Sequence, residues 1–205
     1  MSKSKKLLWL ALPFCLLLSG CLTSENAFYE DADVVSDDRI VGVFRAKDSP
    51  PLWIVKDNDP YHEKQYIVIA SGDRGGDCEI KFTAKLFQVG TNRFLDALPL
   101  LEACDHIGGN PPSAIEILQS LTLQPMHMVV KINVATNGIQ FGIVDQQGLN
   151  AALKAAPEYF IRKPERLPRM VSDTKRLHEF LLRFGGDTNI FKLGEWQTPE
   201  KNKKP

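Results

Sequence analysis

The sequence predicts an α+β fold that is mainly antiparallel β: a curved sheet or small barrel with two late helices. Three observations carry this. Cys78, Ile80, Phe82, Ala84 and Leu86 alternate with Glu79, Lys81, Thr83 and Lys85, the period of a half-buried antiparallel strand. Two hairpin signals, Gly90-Thr91-Asn92 and Thr136-Asn137-Gly138, sit between runs of β-formers. Apolar stripes at helical spacing come only after these strands. Strands in hairpin order followed by helices indicate a sheet with helices packed against it.

The elements follow in order. Ile40, Val41, Val43 and Phe44 suggest a first strand, broken by Asp48-Ser49-Pro50-Pro51. Leu52 to Val55 and Lys64 to Ala70 read as the next two, separated by Asp57-Asn58-Asp59-Pro60. Ser71 to Asp77 contains Gly72, Gly75 and Gly76 and reads as a turn. The alternating strand then turns at Gly90 into Arg93 to Leu98. Leu98 to Pro112 reads as irregular, and Ile115 to Leu123 fits helix or strand equally. Met126 to Val134 and Ile139 to Val144 form the second hairpin. Leu149, Ala152, Leu153 and Ala156 make a short helical stripe before Pro157. Leu177, Phe180, Leu181 and Phe184 fall at i, i+3, i+4 and i+7, with Ser172 or Asp173 as cap and Gly185-Gly186 as stop.

The chain start has a different character. Lys3, Lys5 and Lys6 precede an apolar run from Leu7 to Leu18, interrupted by Pro13. A spanning helix needs about 20 apolar residues, so this shorter run reads as a signal-peptide core. It closes on Leu18-Ser19-Gly20-Cys21, which resembles the lipobox of bacterial lipoproteins. That resemblance covers only the first 21 residues. It implies diacylglycerol on the Cys21 sulfur, cleavage before Cys21, and fatty acid such as palmitate on the new amino group. Two or more acyl chains suffice for a stable anchor, whereas one does not. Leu22, rather than Asp, follows the cysteine, which in a Gram-negative cell implies the outer membrane.

The expected organisation is a signal peptide over 1–20, a lipidated acidic tether over 21–38, a globular domain over 39–190 and a flexible basic tail over 191–205. The tether is expected because residues 22 to 38 are rich in acids, among them Glu25, Glu30, Asp31, Asp33, Asp37 and Asp38, with no sustained period. These acids lack the Asp-x-Asp-x-Asp-Gly spacing of a calcium loop. Three of the 25 basic residues and none of the 25 acidic ones lie in the signal peptide. The remaining 22 against 25 give a formal −3, without the basic footprint of a nucleic-acid binder.

Of four cysteines, Cys15 leaves with the signal peptide and Cys21 carries lipid. Cys78 and Cys104 remain, and an oxidising compartment permits a disulfide between them. Two separate buried thiols are the equal alternative. Catalytic signatures are missing: no Gly-x-Ser-x-Gly elbow, no phosphate loop, and no zinc pair among His62, His106, His127 and His178. Cys104-Asp105-His106 is the one local group of ligand types, and a polar loop is its simpler reading. Glu79, Lys81 and Lys85 read as cross-strand salt pairing. No cofactor or metal is expected.

Val41-Gly42-Val43-Phe44 is similar to the opening strand of lipocalin-like barrels, with Phe44 where those carry Trp. The whole layout resembles small β-rich bacterial lipoproteins, a resemblance that brings no catalytic role. The expected function is that of a non-enzymatic envelope lipoprotein that binds a partner protein or envelope component. The alternatives are a small barrel holding an apolar ligand and a hydrolase whose residues converge only in space.

Overall fold

The structure is a computed structural model and describes residues 22–46, 51–71, 79–100, 126–135, 138–161, 169–170 and 173–197. Its centre is an antiparallel meander. β2 (Gly42–Phe44), β3 (Leu52–Lys56), β4 (Gln65–Ser71), β5 (Glu79–Val89), β6 (Asn92–Leu100) and β7 (His127–Ala135) pair in chain order. β8 (Gly138–Ile143) pairs with β7, and β11 (Lys192–Gln197) pairs with β8. The short strands β1 (Thr23–Ser24), β10 (Arg169–Met170) and β9 (Phe160–Ile161) extend the sheet from the other half of the β7 edge. The pairing path runs from β2 to β9 without joining its ends, so among the described residues the sheet is open rather than a closed barrel.

Turn chemistry fixes the central register. Val89 pairs with Asn92, leaving Gly90 and Thr91 as a two-residue loop. Gly90 has φ of +60° while Thr91 does not enter the positive region, the pattern of a type II′ hairpin that matches strand twist. Once pinned there, Leu86 pairs with Leu95 and Phe87 with Phe94. The alternation expected of β5 holds as far as Lys85. Beyond it both faces are covered, since Leu86 is buried on one and Phe87 and Val89 on the other.

The sheet therefore separates two cores. One contains Ile40, Phe44, Ile54, Tyr66, Leu86, Leu95, Ile132 and Phe141 on one face of the meander. The other lies beneath two helices, α1 (Gln146–Ala155) and α2 (Thr174–Phe184), and contains Phe87, Phe94, Val129, Leu149 and Phe180. Both helical stripes read from the sequence face this second core. Leu177, Phe180 and Leu181 are fully buried, as are Ala152 and Ala156. The caps are carboxylates: Asp145 accepts the Gly148 amide at 2.8 Å, and Asp173 accepts that of Arg176 at 2.9 Å. At the end of α2, Gly185 keeps helical φ. Its lack of a side chain serves packing, because a Cβ would come within 2.8 Å of the Phe94 ring.

Two boundaries differ from those expected, one at each end. The tail expected to be flexible from residue 191 forms β11 over Lys192–Gln197, in register with all of β8. β8 would otherwise present an open row of backbone donors and acceptors, and β11 covers it. Lys192 reinforces the closure through Asp145 at 2.6 Å. The larger correction concerns residues 22–38. They do not form a tether: Leu22 is 1% exposed, Phe28 0% and Val34 7%. Each fully buried apolar side chain contributes about 1.5–3 kcal/mol, and these burials together with the hydrogen bonds to β5, β6 and β7 offset the ordering entropy of the segment. Smaller shifts occur too. Ile40 lies in a 3-10 turn before β2 rather than in the strand, and β6 continues through Leu98 to Leu100.

Candidate functional site

The N-terminal segment is a strap laid across the sheet, and the polar groups that hold it form the most organised site among the described residues. The outer edge of β7 is shared by two pieces of chain. β8 pairs with Lys131–Ala135, while β1 pairs with His127 and Met128. The Leu22 carbonyl accepts the Val129 amide proton at 3.2 Å, extending the β1–β7 ladder to Leu22.

From β1 the strap crosses beneath β6. The Phe28 amide donates to Asp96 Oδ2 at 2.8 Å, while His127 Nδ1 lies 2.7 Å from Asp96 Oδ1. Asp96 is 3% exposed; a buried carboxylate needs such partners because desolvation penalises its charge. Tyr29 packs on Phe87 at 6.0 Å between ring centroids, beneath the Lys85 ammonium at 5.2 Å. Burial raises the Tyr29 hydroxyl pKa, with smaller contributions from Asp96 and Asp31. Lys85 thus covers an aromatic ring rather than completing the salt pairing expected on its strand.

Further along, Val34 bridges to Phe87 and the Val35 amide donates to Leu86 at 2.9 Å. This fills the edge of β5 beyond the end of β4 at Gln65, whose partner is Lys85. His178 stacks on Phe87 with ring planes 6° apart and places Nε2 3.3 Å from Asp33. The strap ends on Asp37, whose amide donates to the Tyr66 hydroxyl oxygen at 2.9 Å. Its carboxylate receives Arg39 and Arg93, both at 2.6 Å. The Arg39 hydrogen bonds hold this carboxyl well below the usual range, assisted by Arg93 and opposed by burial.

The Asp96–His127 pair has the orientation that serves as acid–base machinery when a serine completes it. Ser24 is the register partner of His127. Its hydroxyl is fully buried and accepts the Asn26 amide proton at 3.1 Å, and it makes no hydrogen bond to His127. A nucleophile needs both that bond and access to substrate. Asp96 pins the strap through Phe28 and holds His127, while Ser24 is engaged with the Asn26 amide.

Among the described residues, two depressions are notable for their charged lining. One, by the β5–β6 turn, is lined by Arg39, Arg93, Lys131 and Asn133. Its cations are engaged: the arginines share Asp37, and Lys131 donates to the Gly185 carbonyl at 2.7 Å, satisfying the C-terminus of α2. Burial lowers the Lys131 pKa. The other lies between α1 and the start of β11, beside Gln147, Asp187 and Lys192. Among the described residues no three His, Cys, Asp or Glu side chains could hold a metal ion, and no helix is long and apolar enough to cross a membrane.

No family model, curated protein or solved structure matches this chain. The sequence-expected sites Cys21, Cys78, Cys104 and the Cys104-Asp105-His106 group all lie outside the described residues. His62 is an exposed turn residue whose Nδ1 lies 2.9 Å from Asp57. Sequence reasoning missed Asp96. The available signal was a single carboxylate between Leu95 and Ala97 in the otherwise apolar stretch from Phe94 to Leu100. Such a residue needs a buried partner, though its partner lies 68 positions away.

Proposed function

We propose that the protein is a lipid-anchored envelope lipoprotein, with residues 1–20 a signal peptide, Cys21 the lipidated first residue, and the β-rich domain a non-enzymatic binding or structural module at the membrane. One observation carries the reading. Leu18-Ser19-Gly20-Cys21 closes a short apolar run behind a basic start, and the next residue, Leu22, is buried in the core. Cleavage before Cys21 then leaves the bond from Val129 to Leu22 intact. Leu22 after the cysteine directs the protein to the outer membrane if the cell is Gram-negative. The test is labelling of cells with radioactive palmitate. Wild type takes up label and Cys21→Ser accumulates as unlabelled precursor; equal label on both refutes the anchor.

A second reading, an apolar-ligand binder of lipocalin-like kind, has one observation in its favour. Leu52, Phe82, Met128, Val130, Val134 and Ile143 are only partly buried against the core of the meander. A sheet face with incompletely covered apolar side chains offers contact area to such a ligand. Lipid retained by the purified, unacylated domain supports this reading, and its absence removes it.

A further inference from the structure

We propose that the anchor seats this domain directly on the bilayer, with a lipid surface as the partner of the seam where β8 and β1 meet end to end. The proposal rests on the lipoprotein reading and specifies what that anchor does.

Adjacent Cα atoms are about 3.8 Å apart, so Leu22 lies one residue step from the acylated Cys21. Leu22 is itself fixed, buried in the helix-side core and bonded through its carbonyl to Val129. A free segment over 22–38 would instead give a spacer of roughly 20–25 Å root-mean-square length. The fold removes that spacer by laying the segment across the sheet.

The register shows where Leu22 sits. β8 and β1 run antiparallel to β7 along the same edge, β8 opposite residues 131–135 and β1 opposite 127–128. With Leu22 opposite Val129, the next position back along that edge meets the end of β8 at Ile143. Leu22 therefore sits at the seam, midway along the edge of β7.

The surroundings suit a headgroup layer. Val130 and Ile143 at the seam are partly exposed apolar residues. Two charged pairs flank the seam, Glu25 with Arg169 at 2.6 Å and Lys192, the register partner of Ile143, with Asp145 at 2.6 Å. The acids that would repel an anionic membrane are carried away by the strap: Asp37 is held by Arg39 and Arg93, and Asp38 by Lys56 at 2.7 Å. The domain thus sits at fixed height and orientation and meets partners close to the membrane plane.

Neutron reflectometry tests this on the full lipidated protein in a supported bilayer of phosphatidylethanolamine and phosphatidylglycerol. The comparison is a variant with 17 Gly/Ser residues inserted between Cys21 and Leu22. Wild-type protein density is expected to begin at the headgroups, and the insertion to open a hydrated layer about 20 Å deep. A wild-type layer as hydrated and as deep as that of the variant overturns direct seating. Intact mass on the same sample separates the two claims. Protein without lipid on Cys21 overturns the anchor reading and this one with it, whereas lipidated protein above a hydrated gap overturns this one alone.

Discussion

Asp96 holds Phe28 by its backbone: the Phe28 amide donates to the buried carboxylate at 2.8 Å, while His127 approaches the other oxygen at 2.7 Å. One side chain in the middle of β6 thereby joins the N-terminal strap to the central sheet. Asp96→Ala leaves the Phe28 amide without an acceptor and removes the partner of His127. Hydrogen bonds to charged groups contribute about 1.5–3 kcal/mol, so a loss of roughly 3 kcal/mol is expected in urea unfolding. Asp96→Asn keeps an acceptor for the amide and should lose less. An Asp96→Ala curve that overlays wild type would show that the pin contributes nothing.

Phe180 tests the helix layer. Its ring lies 5.0 Å from Phe184, 5.5 Å from Tyr159 and 6.1 Å from Phe160, and it is fully buried. Phe180→Ala should cost about 3–5 kcal/mol, a large share of the ~5–15 kcal/mol that stabilises a typical domain. The thermal midpoint should fall accordingly. An unchanged midpoint would mean that α2 is a docking face rather than part of the core.

The contrast between these two sites shows what the sequence made legible. The α2 stripe and the β5–β6 hairpin were readable because their signals are local: a period of 3.6 in one, alternation around a glycine turn in the other. The strap was not readable, because its buried residues Leu22, Phe28, Val34 and Ile40 recur every six residues, a spacing that neither template detects. Its acids suggested solvent, yet Asp33 and Asp37 meet His178, Arg39 and Arg93, residues supplied by other segments or by a local turn. β11 was missed for a related reason. Lys192-Leu193-Gly194-Glu195 has little strand character of its own, and the open edge of β8 supplies the demand for it. The proposed anchor is argued from Leu18-Ser19-Gly20-Cys21 alone and needs no tertiary information.

Asp37 gives the fold an acid-side dependence with a definite sign. Its carboxyl is held low in the folded state, mainly by Arg39. A group depressed in this way contributes fully above the ordinary carboxylate range near pH ~4 and progressively less as pH falls below it. Asp37→Asn removes the titration, so its stability should vary less than that of wild type below pH ~4. Parallel stability curves for the two proteins over that interval would contradict the assignment.

The β5–β6 register bears on the cysteines. The last ladder pair at the open end of that hairpin is Lys81 with Leu100. Cys78 lies three residues before Lys81 and Cys104 four residues after Leu100. Two cysteines within a few residues of the ends of neighbouring strands can approach to the ~5.5–6 Å Cα separation that a disulfide needs. A Cys78–Cys104 bond is therefore expected in protein made in an oxidising compartment. Non-reducing peptide mass spectrometry should recover the linked pair, and two free thiols would end the idea.

Hydrogen exchange on the mature protein tests most directly the claim that the fold begins beside the anchor. The amides of Phe28 and Val35, bonded to Asp96 and Leu86, and that of Val129, bonded to Leu22, should be protected to the level of the central strands β5 and β6. Those amides open only with much of the domain if the strap is part of its cooperative unit. Exchange of the Phe28 and Val35 amides at the rate of an unstructured chain, with β5 and β6 still protected, would contradict the account and restore a tether between lipid and domain.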